Sequence, residues 1–331
     1  MGICRLFDPY PKSKREDFFD NEELINEVEK LLEGKFWPLI LGPKRTGKTS
    51  VLKIVANELG GVYIDASGIK TLRELGDSLV NSLQTRVQVD LKVVKVEIYK
   101  RPVRGLKELL GKLGDSVILI DEVQNLASPW FASLLSTAYN TSGVRFAFTG
   151  SMIGLAKTLA GQGTGKKVGK SFKGRPIVEV EASPFDEVKS REFLRTGADL
   201  CNVSMQDSEI EDAAEAYRGI QGWLTYYGNF RALGYSHDRA KEMVFRTAKG
   251  IILEELKALS ELQRTIMRAL SLVEGAGWSD LKALTESLMR RELQDWTFDH
   301  ALKQLVNARL VRKEGNKYSV IDPMYKAVMS S

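Results

Sequence analysis

The clearest indication of the fold is the segment Gly42-Pro43-Lys44-Arg45-Thr46-Gly47-Lys48-Thr49. The apolar run from Trp37 to Leu41 before it predicts a buried strand, and the spacing of Val51, Leu52 and Val55 after it predicts a helix. A glycine-containing loop that joins a strand to a helix is the context in which phosphate-binding loops (P-loops) occur. The alternative is a chance glycine-rich turn, which would not need that context.

The loop residues suit the binding of ATP or ADP with Mg²⁺. Small glycines let successive backbone N–H groups turn inward around phosphates, and the following helix presents its positive end to the same charge. We expect Lys48 to neutralise the β- and γ-phosphates and the Thr49 hydroxyl to ligate Mg²⁺. The predicted nucleotide contacts in this stretch are Gly42, Pro43, Lys44, Arg45, Thr46, Gly47, Lys48, Thr49 and Ser50.

A second motif follows the apolar run Val117 to Ile120, which predicts a strand that ends in two carboxylates. Ligands bind at that end of parallel strands. Asp121 is predicted to hold Mg²⁺, directly or through water, opposite Thr49, and Glu122 to orient and deprotonate the attacking water. The alternative is that both carboxylates open a solvated loop. Gln124 either helps to position the water or is an ordinary polar loop residue.

Two further candidates lie beyond the next predicted strand, Val144 to Thr149. Thr149 or Ser151 could contact the γ-phosphate as a sensor, or Ser151 could cap the next helix. Residues 161–175 contain five glycines among several lysines and predict a mobile surface loop that ends at Arg175. Arg175 is the candidate cation for the transferring phosphate, within its own chain or toward a neighbouring subunit. Surface solubility is the competing explanation for this arginine.

Alternating strand and helix patterns up to residue 182 predict an α/β P-loop NTPase core, a parallel sheet covered by helices on both faces. Residues 183–250 show only helical patterns and predict a helical lid domain. Residues 251–331 predict helices followed by two short strands around Gly315-Asn316, the order of a winged-helix domain.

Such folds often place their third helix in the DNA major groove. Here that helix would expose a mixed set of side chains, Asp299, His300, Lys303, Gln304 and Asn307. Residues 251–331 hold 12 basic and 11 acidic residues, without the basic footprint of a dedicated DNA-binding domain. This balance favours an internal regulatory or protein-contact role over DNA binding. Stronger basic stretches occur at Leu91 to Asp115 and Ala156 to Arg175, although a solvated face commonly explains such runs.

Composition adds limits on the class of protein. The 331 residues are 43% hydrophobic, enough for two or three domains with a sizeable core, and the formal charge of +5 does not demand a polyanionic partner. No apolar stretch predicts a membrane span. Cys4 and Cys201 lie far apart in the sequence and predict neither a disulfide framework nor a zinc site, so a cytoplasmic location is expected.

Several segments resemble the archaeal ATPase family, a branch of the STAND class of AAA+-related P-loop proteins: KREDFFDNEELINEV, GPKRTGKTS, ILIDEVQ, FTGS and GRPIVEVEASPFD. The resemblance spans nearly the whole chain and implies the same roles for the P-loop and the two carboxylates. It also matches Gly174-Arg175 to the family's Gly-Arg step and implies that the segment from Arg15 to Phe19 lies near the adenine. The segment Tyr217 to Leu224 departs from the family's Gly-Gly-x-Pro at Arg218 and Gln221, which weakens the implied lid contact to nucleotide.

The first functional hypothesis is a slow ATP-hydrolysing molecular switch whose nucleotide state sets the angle between the core and the other domains. The alternative is an ATP-dependent DNA-binding regulator or replication-initiator-like protein that uses the winged helix. A nucleotide-binding scaffold with negligible turnover is a third hypothesis. DNA or protein partners and nucleotide-dependent self-association stay open, and no membrane partner is expected.

Overall fold

The computed structural model describes residues 4–83, 91–126, 128–150 and 176–331. Its contacts divide the chain into two compact units. The core unit is formed by residues 11–42 and 47–182, and the C-terminal unit by residues 1–10, 43–46 and 183–331, in both cases as far as they are described. The four residues 43–46 of the predicted P-loop are thus grouped with the C-terminal unit, although their neighbours in sequence belong to the core unit.

A parallel five-stranded sheet lies at the centre of the core unit, in the order β2-β3-β4-β1-β5. The strands are β1 (Trp37–Leu41), β2 (Val62–Asp65), β3 (Val117–Asp121), β4 (Arg145–Gly150) and β5 (Ile177–Glu181). The helices are α1 (Glu22–Glu33), α2 (Lys48–Glu58), α3 (Leu72–Leu83), α4 (Leu91–Lys100), α5 (Pro102–Lys112) and α6 (Pro129–Thr141), with short 3₁₀ turns at Arg15–Asp17 and Val123–Leu126. The predicted parallel sheet flanked by helices is confirmed.

The central strands are mostly apolar because the sheet is covered on both faces, and polar residues such as Arg145 and Asp121 stand at or near their ends. On one face, Trp37 packs edge-on against Phe146, within a cluster that includes side chains of α3, α5 and α6. On the other face, Ile40 and Leu119 pack with side chains of α1 and α2. Strand β4 lies between β1 and β3, so the P-loop strand and the carboxylate-bearing strand are not neighbours.

The C-terminal unit begins with four helices and continues with helices around a small antiparallel sheet of order β6-β8-β7. The helices are α7 (Glu187–Leu200), α8 (Asp207–Tyr217), α9 (Gln221–Ala232), α10 (His237–Lys257), α11 (Glu261–Leu272), α12 (Trp278–Met289), α13 (Asp295–Asn307) and α14 (Pro323–Ser330). The strands are β6 (Ala276–Gly277), β7 (Val311–Glu314) and β8 (Lys317–Val320). The hairpin predicted at Gly315-Asn316 is confirmed. Helix α10 runs through residue 250, and a domain boundary there stays a prediction.

The N-terminal segment packs within the C-terminal unit and corrects one expectation. Cys4 and Cys201 form a disulfide, with their Cα atoms 5.4 Å apart. The prediction that these distant cysteines make no disulfide framework overlooked this bond, because a separation of 197 residues in sequence does not limit their distance in the fold. Phe7 is fully buried close to Gly197 and Gly228, where a Cβ atom would collide with its ring.

The disulfide removes the argument for a reducing compartment that rested on unpaired cysteines. Among the described residues, no helix is long and apolar enough to cross a membrane.

Candidate nucleotide-binding site

The two ends of the predicted P-loop are held in the core unit by close backbone approaches. A Cβ atom on Gly42 would lie 2.1 Å from the carbonyl oxygen of Ala182. Gly47 has a φ of +78°, and a Cβ atom there would lie 2.8 Å from the ring of Phe18. Both positions therefore require glycine, for the tight turn that leads from β1 into α2.

Helix α2 begins at Lys48, and its N-cap residue Gly47 has no side chain that could cap the first turn. The first N–H groups of an uncapped helix can bind an anion, which the helix dipole favours. The buried ammonium group of Lys48 donates to the carbonyl oxygen of Gly42 at 3.1 Å. Thr49 is half-buried in the first turn of α2. The hydroxyl of Ser50 accepts a hydrogen bond from the N–H of Lys12 at 3.0 Å, so it binds the N-terminal segment.

Asp121 is the last residue of β3 and is almost fully buried. Its Oδ1 accepts the hydroxyl of Thr149 and, at 3.1 Å, the N–H of Glu122. Its Oδ2 accepts the phenol of Tyr63 at 3.0 Å. Burial raises the pKa of Tyr63 above its usual range, and the charge of Asp121 adds to this effect. The phenol therefore stays protonated and donates a hydrogen bond to Asp121.

Glu122 leaves the strand in a left-handed conformation, with a φ of +52°. This conformation is unusual for a residue with a side chain and costs about 1–3 kcal/mol, which the surrounding structure must offset. The N–H of Glu122 also donates to the Thr149 hydroxyl at 3.1 Å, and its carboxylate accepts the amide of Gln124. The two carboxylates thus point differently, and Thr149, at the end of β4, contacts both residues.

The donor set suits a hard cation. Carboxylate and hydroxyl oxygens are the ligands that Mg²⁺ prefers, and Mg²⁺ is usually held by one or two protein groups together with substrate phosphates. Asp121 and Thr49 supply such oxygens. In the described parts of the chain there is no group of three or more His, Cys, Asp or Glu side chains that would form an all-protein metal site. The residues therefore fit a magnesium ion that is shared with a nucleotide.

Residues at the apex of the loop belong to the C-terminal unit and pack against other side chains of that unit. Arg45 has a φ of +65°, and its guanidinium group lies over the ring of Trp223 at 4.4 Å from the centroid. Its Nη2 is 2.8 Å from Oε1 of Glu255, and its Nη1 is 3.6 Å from Oδ2 of Asp322. Lys44 lies 3.1 Å from the same glutamate. We call Arg45, Trp223, Glu255, Asp322 and Tyr325 the apex cluster.

Other contacts fix the apex cluster. The indole N–H of Trp223 donates to both oxygens of Asp322 at 2.9 Å, and the Tyr325 hydroxyl donates to Glu255. Burial raises the pKa of Asp322, whereas for Glu255 the effect of burial is outweighed by Arg45 and Tyr325, which lower its pKa.

The backbone of the loop apex is also bound to the start of α9. The carbonyl of Arg45 accepts the N–H of Gly222 at 2.9 Å, and a Cβ atom on Gly222 would lie 2.7 Å from Cβ of Arg45. The Thr46 hydroxyl donates to the carbonyl of Pro43 at 2.9 Å, which closes the turn of the loop itself. The segment that departs from the resembled family at Arg218 and Gln221 therefore contacts the P-loop through Gly222 and Trp223.

Arg15, which was predicted to lie near the adenine, has its guanidinium group in a network of ion pairs. It lies 2.7 Å from Glu58 at the end of α2 and 3.0 Å from Glu29 of α1, and it donates to Asn26 at 2.6 Å. Burial raises the pKa of Glu29 to about 7, with a further contribution from Glu58, while the hydrogen bond from Arg15 lowers the pKa of Glu58. A nucleotide contact by Arg15 stays a prediction.

A family model describing an ATPase domain predominantly from Archaea matches residues 18–226. The chain belongs to this archaeal ATPase family. It is a P-loop ATPase and binds nucleotide. No curated protein matches the sequence.

Solved structures resemble the archaeal ATPase over nearly its whole length. The Walker-type ATPase PABY2304 of Pyrococcus abyssi is 29% identical, with a TM-score of 0.86 over 98% of this chain and all of that one. The ORC2 protein of Aeropyrum pernix, in ADPNP and ADP complexes, is 16% identical, with a TM-score of 0.67 over 98% of this chain and 96% of that one. At this identity the second likeness shows the fold alone.

Several contacts in the archaeal ATPase were not predicted from its sequence. Tyr63 was treated only as part of a predicted strand. Its position between Val62 and Ile64 puts its side chain on the face of the sheet opposite to theirs. The acidic residues of the apex cluster lie more than 200 positions after Arg45, and no local pattern marks them. The described residues do not include Ser151, the segment 161–175 that was predicted to be a mobile loop, or Arg175 at its end. The statements about them stay predictions.

Proposed function

We propose that this ATPase is an ATP-hydrolysing molecular switch, in which the P-loop passes the state of its nucleotide to the C-terminal unit. The observation that carries the proposal is the apex cluster. The loop that would wrap the phosphates has its ends in the core unit and its apex side chain, Arg45, among residues of α9, α10 and α14. A change in the loop at the phosphates therefore also acts on the contacts of Arg45.

At the chemical site, Lys48 and the backbone N–H groups of the loop bind the phosphates. Thr49 and Asp121 would hold Mg²⁺, which neutralises developing charge on the phosphate oxygens. Glu122 takes a proton from the water whose oxygen forms the new bond to the γ-phosphorus, and ADP leaves with the electrons of the broken bond. Arg175 remains our candidate for a second cation, from its own chain or a neighbouring one. Slow turnover fits a switch that must persist in each state.

We infer that residues 251–331 form a winged-helix domain that contacts other protein surfaces. Helices α11, α12 and α13 with the β7–β8 hairpin have the order of that fold, and α11 joins α10, which carries Glu255. The third helix offers little free positive charge, since Lys303 pairs with Asp299 one turn away. We therefore favour a protein partner or a self-contact over DNA for this surface. A division into residues 1–182, 183–250 and 251–331 is part of the same proposal.

Hydrolysis is tested with Glu122→Gln, which keeps the size of the side chain and removes its basicity. We expect ATP binding to persist and phosphate release to fall at least about 100-fold, the scale of general-base catalysis. An unchanged rate of phosphate release would refute the role of Glu122, and a chain that binds ATP but never releases phosphate would instead be a scaffold.

The switch is tested with Arg45→Ala against Lys44→Ala. Both substitutions remove a cation from Glu255, but Lys44 is 40% exposed and Arg45 is 13% exposed. We expect hydrogen exchange in α9, α10 and α14 to differ between the ATP-bound and ADP-bound wild type, and this difference to vanish in Arg45→Ala and persist in Lys44→Ala. A normal nucleotide response in Arg45→Ala would show that the apex cluster does not transmit it.

The DNA alternative has a separate test, because binding to phosphates depends steeply on salt. If the winged helix is a DNA-binding element, duplex DNA should be shifted in gels at low salt and released as salt rises, more strongly with ATP than with ADP. Binding of this kind would replace the protein-contact role that we favour.

A further inference from the structure

Tyr63 is a buried hydroxyl donor next to the predicted magnesium site. It lies on β2 opposite Leu119 of β3, two residues before the strand end that carries Asp121. Its phenol donates to Oδ2 of Asp121 at 3.0 Å. The ammonium group of Lys53 in α2 lies over its ring, 5.3 Å from the centre. Tyr63 thus contacts both the helix that follows the P-loop and the carboxylate that the loop's magnesium ion would need.

The carboxylate of Asp121 needs such a donor if it is to keep one orientation. Rotation about the bond to a carboxylate has broad energy wells, so packing alone fixes it poorly. Here the two oxygens are held separately, Oδ1 by the hydroxyl of Thr149 and Oδ2 by Tyr63. A carboxylate oxygen can accept more than one hydrogen bond or ligand, so Oδ2 keeps an acceptor position for the ion or its water while Tyr63 holds it.

We propose that Tyr63 is a positioning residue that orients the Asp121 carboxylate for Mg²⁺. The inference rests on the proposed function, in which Asp121 holds that ion. In this role Tyr63 acts through its hydrogen bond to Asp121. The partners that orient metal ligands in this way commonly contribute about 10–100-fold to metal affinity.

A purely structural role for Tyr63 makes a different prediction from a positioning role. The ring packs beside the cluster formed by α1, α2 and the sheet, and phenylalanine would preserve that packing. Tyr63→Phe therefore removes only the donor to Oδ2. If the tyrosine served packing alone, this variant would bind Mg²⁺ like the wild type.

The experiment measures binding of a fluorescent ATP analogue, first with chelator and then across a Mg²⁺ titration. We expect Tyr63→Phe to bind the analogue without metal as tightly as the wild type does. It should need about tenfold more Mg²⁺ to reach half of the increase in affinity that Mg²⁺ produces. Mn²⁺ binding followed by electron paramagnetic resonance should weaken by the same factor, a readout that does not depend on turnover. Tyr235→Phe is the matched control, because it removes a phenol from the half-exposed Tyr235 in the C-terminal unit.

Each outcome decides the proposal. An unchanged Mg²⁺ requirement in a folded Tyr63→Phe protein, verified by its thermal midpoint, would overturn the positioning role. If Tyr63→Phe is unstable, Tyr63→Leu at reduced temperature replaces it, since leucine also lacks the donor to Oδ2, and an unchanged Mg²⁺ requirement in that variant would equally overturn the proposal. Failure of the underlying function looks different: Lys48→Ala would then bind nucleotide like the wild type, and Mg²⁺ would not affect nucleotide binding in any variant.

Discussion

The two ends of the P-loop and its apex are held in different ways, although they belong to one eight-residue motif. At the ends, Gly42 and Gly47 are fixed by backbone approaches inside the core unit. At the apex, Arg45 is held by a stacked tryptophan and two carboxylates of the C-terminal unit. In the function that we propose, the glycines and the lysine that define the motif serve phosphate binding, whereas a position that the motif leaves free carries the long-range contacts.

The largest effect should come from the end of the loop that binds phosphate. Lys48→Ala removes the proposed cation for the β- and γ-phosphates, and we expect nucleotide affinity to fall at least about 100-fold, equivalent to about 3 kcal/mol. Calorimetric titration with ATP measures this loss. Lys112→Ala, on an exposed position of α5, controls for the loss of one positive charge. Near-normal affinity in Lys48→Ala would show that the ends of the loop do not bind phosphate as we describe.

A backbone test comes next in size. Gly42→Ala would push a methyl group to within 2.1 Å of the Ala182 carbonyl, so we expect a loss of about 2–4 kcal/mol in the free energy of unfolding. Gly111→Ala is the matched control, since nothing lies within 4 Å of its Cβ position in α5. The control should be neutral or stabilise the protein by up to about 1 kcal/mol. Chemical denaturation measures both values, and equal costs would contradict the close approach at Gly42.

The sequence predicted the ends of the loop much better than its apex. Glycine, lysine and threonine at fixed spacing between an apolar run and an amphipathic helix are local signals, and strands such as Val117–Asp121 are continuous apolar runs bounded by carboxylates. The partners of Arg45 are separated from it by about 180 to 280 residues, and Cys4 pairs with a cysteine 197 residues away. Such contacts depend on how whole helices pack, which no local period reveals.

The apex can be tested through one shared partner. Arg45 and Lys44 both contact Glu255, but Arg45 is much more buried, so breaking its pair leaves acidic groups without their cation. In double-mutant cycles with Glu255→Gln, we expect a coupling of about 2 kcal/mol for Arg45→Ala and less than about 1 kcal/mol for Lys44→Ala. Denaturant unfolding gives each term. Equal couplings would mean that the cluster around Arg45 is no more than a surface ion pair.

The smallest expected effect concerns Arg15, which, like Arg45, lies between two carboxylates but within the core unit. The folded protein raises the pKa of Glu29 to about 7 from the 4.5 of an exposed glutamate, and it lowers that of Glu58. Between pH 4.5 and about pH 7, the folded state holds the proton of Glu29 more tightly than the unfolded state does. The stability that this provides is present at low pH and is lost as the pH rises through about 7, whereas the contribution of Glu58 grows above the pKa of an unfolded glutamate and opposes it.

Glu29→Gln removes the contribution of Glu29 to the pH dependence of stability and keeps that of Glu58. Relative to wild type, the free energy of unfolding of this variant should therefore rise by about 1–2 kcal/mol between pH 5 and pH 8. Urea unfolding across this range measures the difference, with Glu27→Gln, an exposed position of the same helix, as the matched control. A difference that stays constant with pH would show that Glu29 does not hold a proton in the folded protein. The two carboxylates of this arginine would then both be charged, and its network would be a plain surface ion pair rather than a counterpart of the apex cluster.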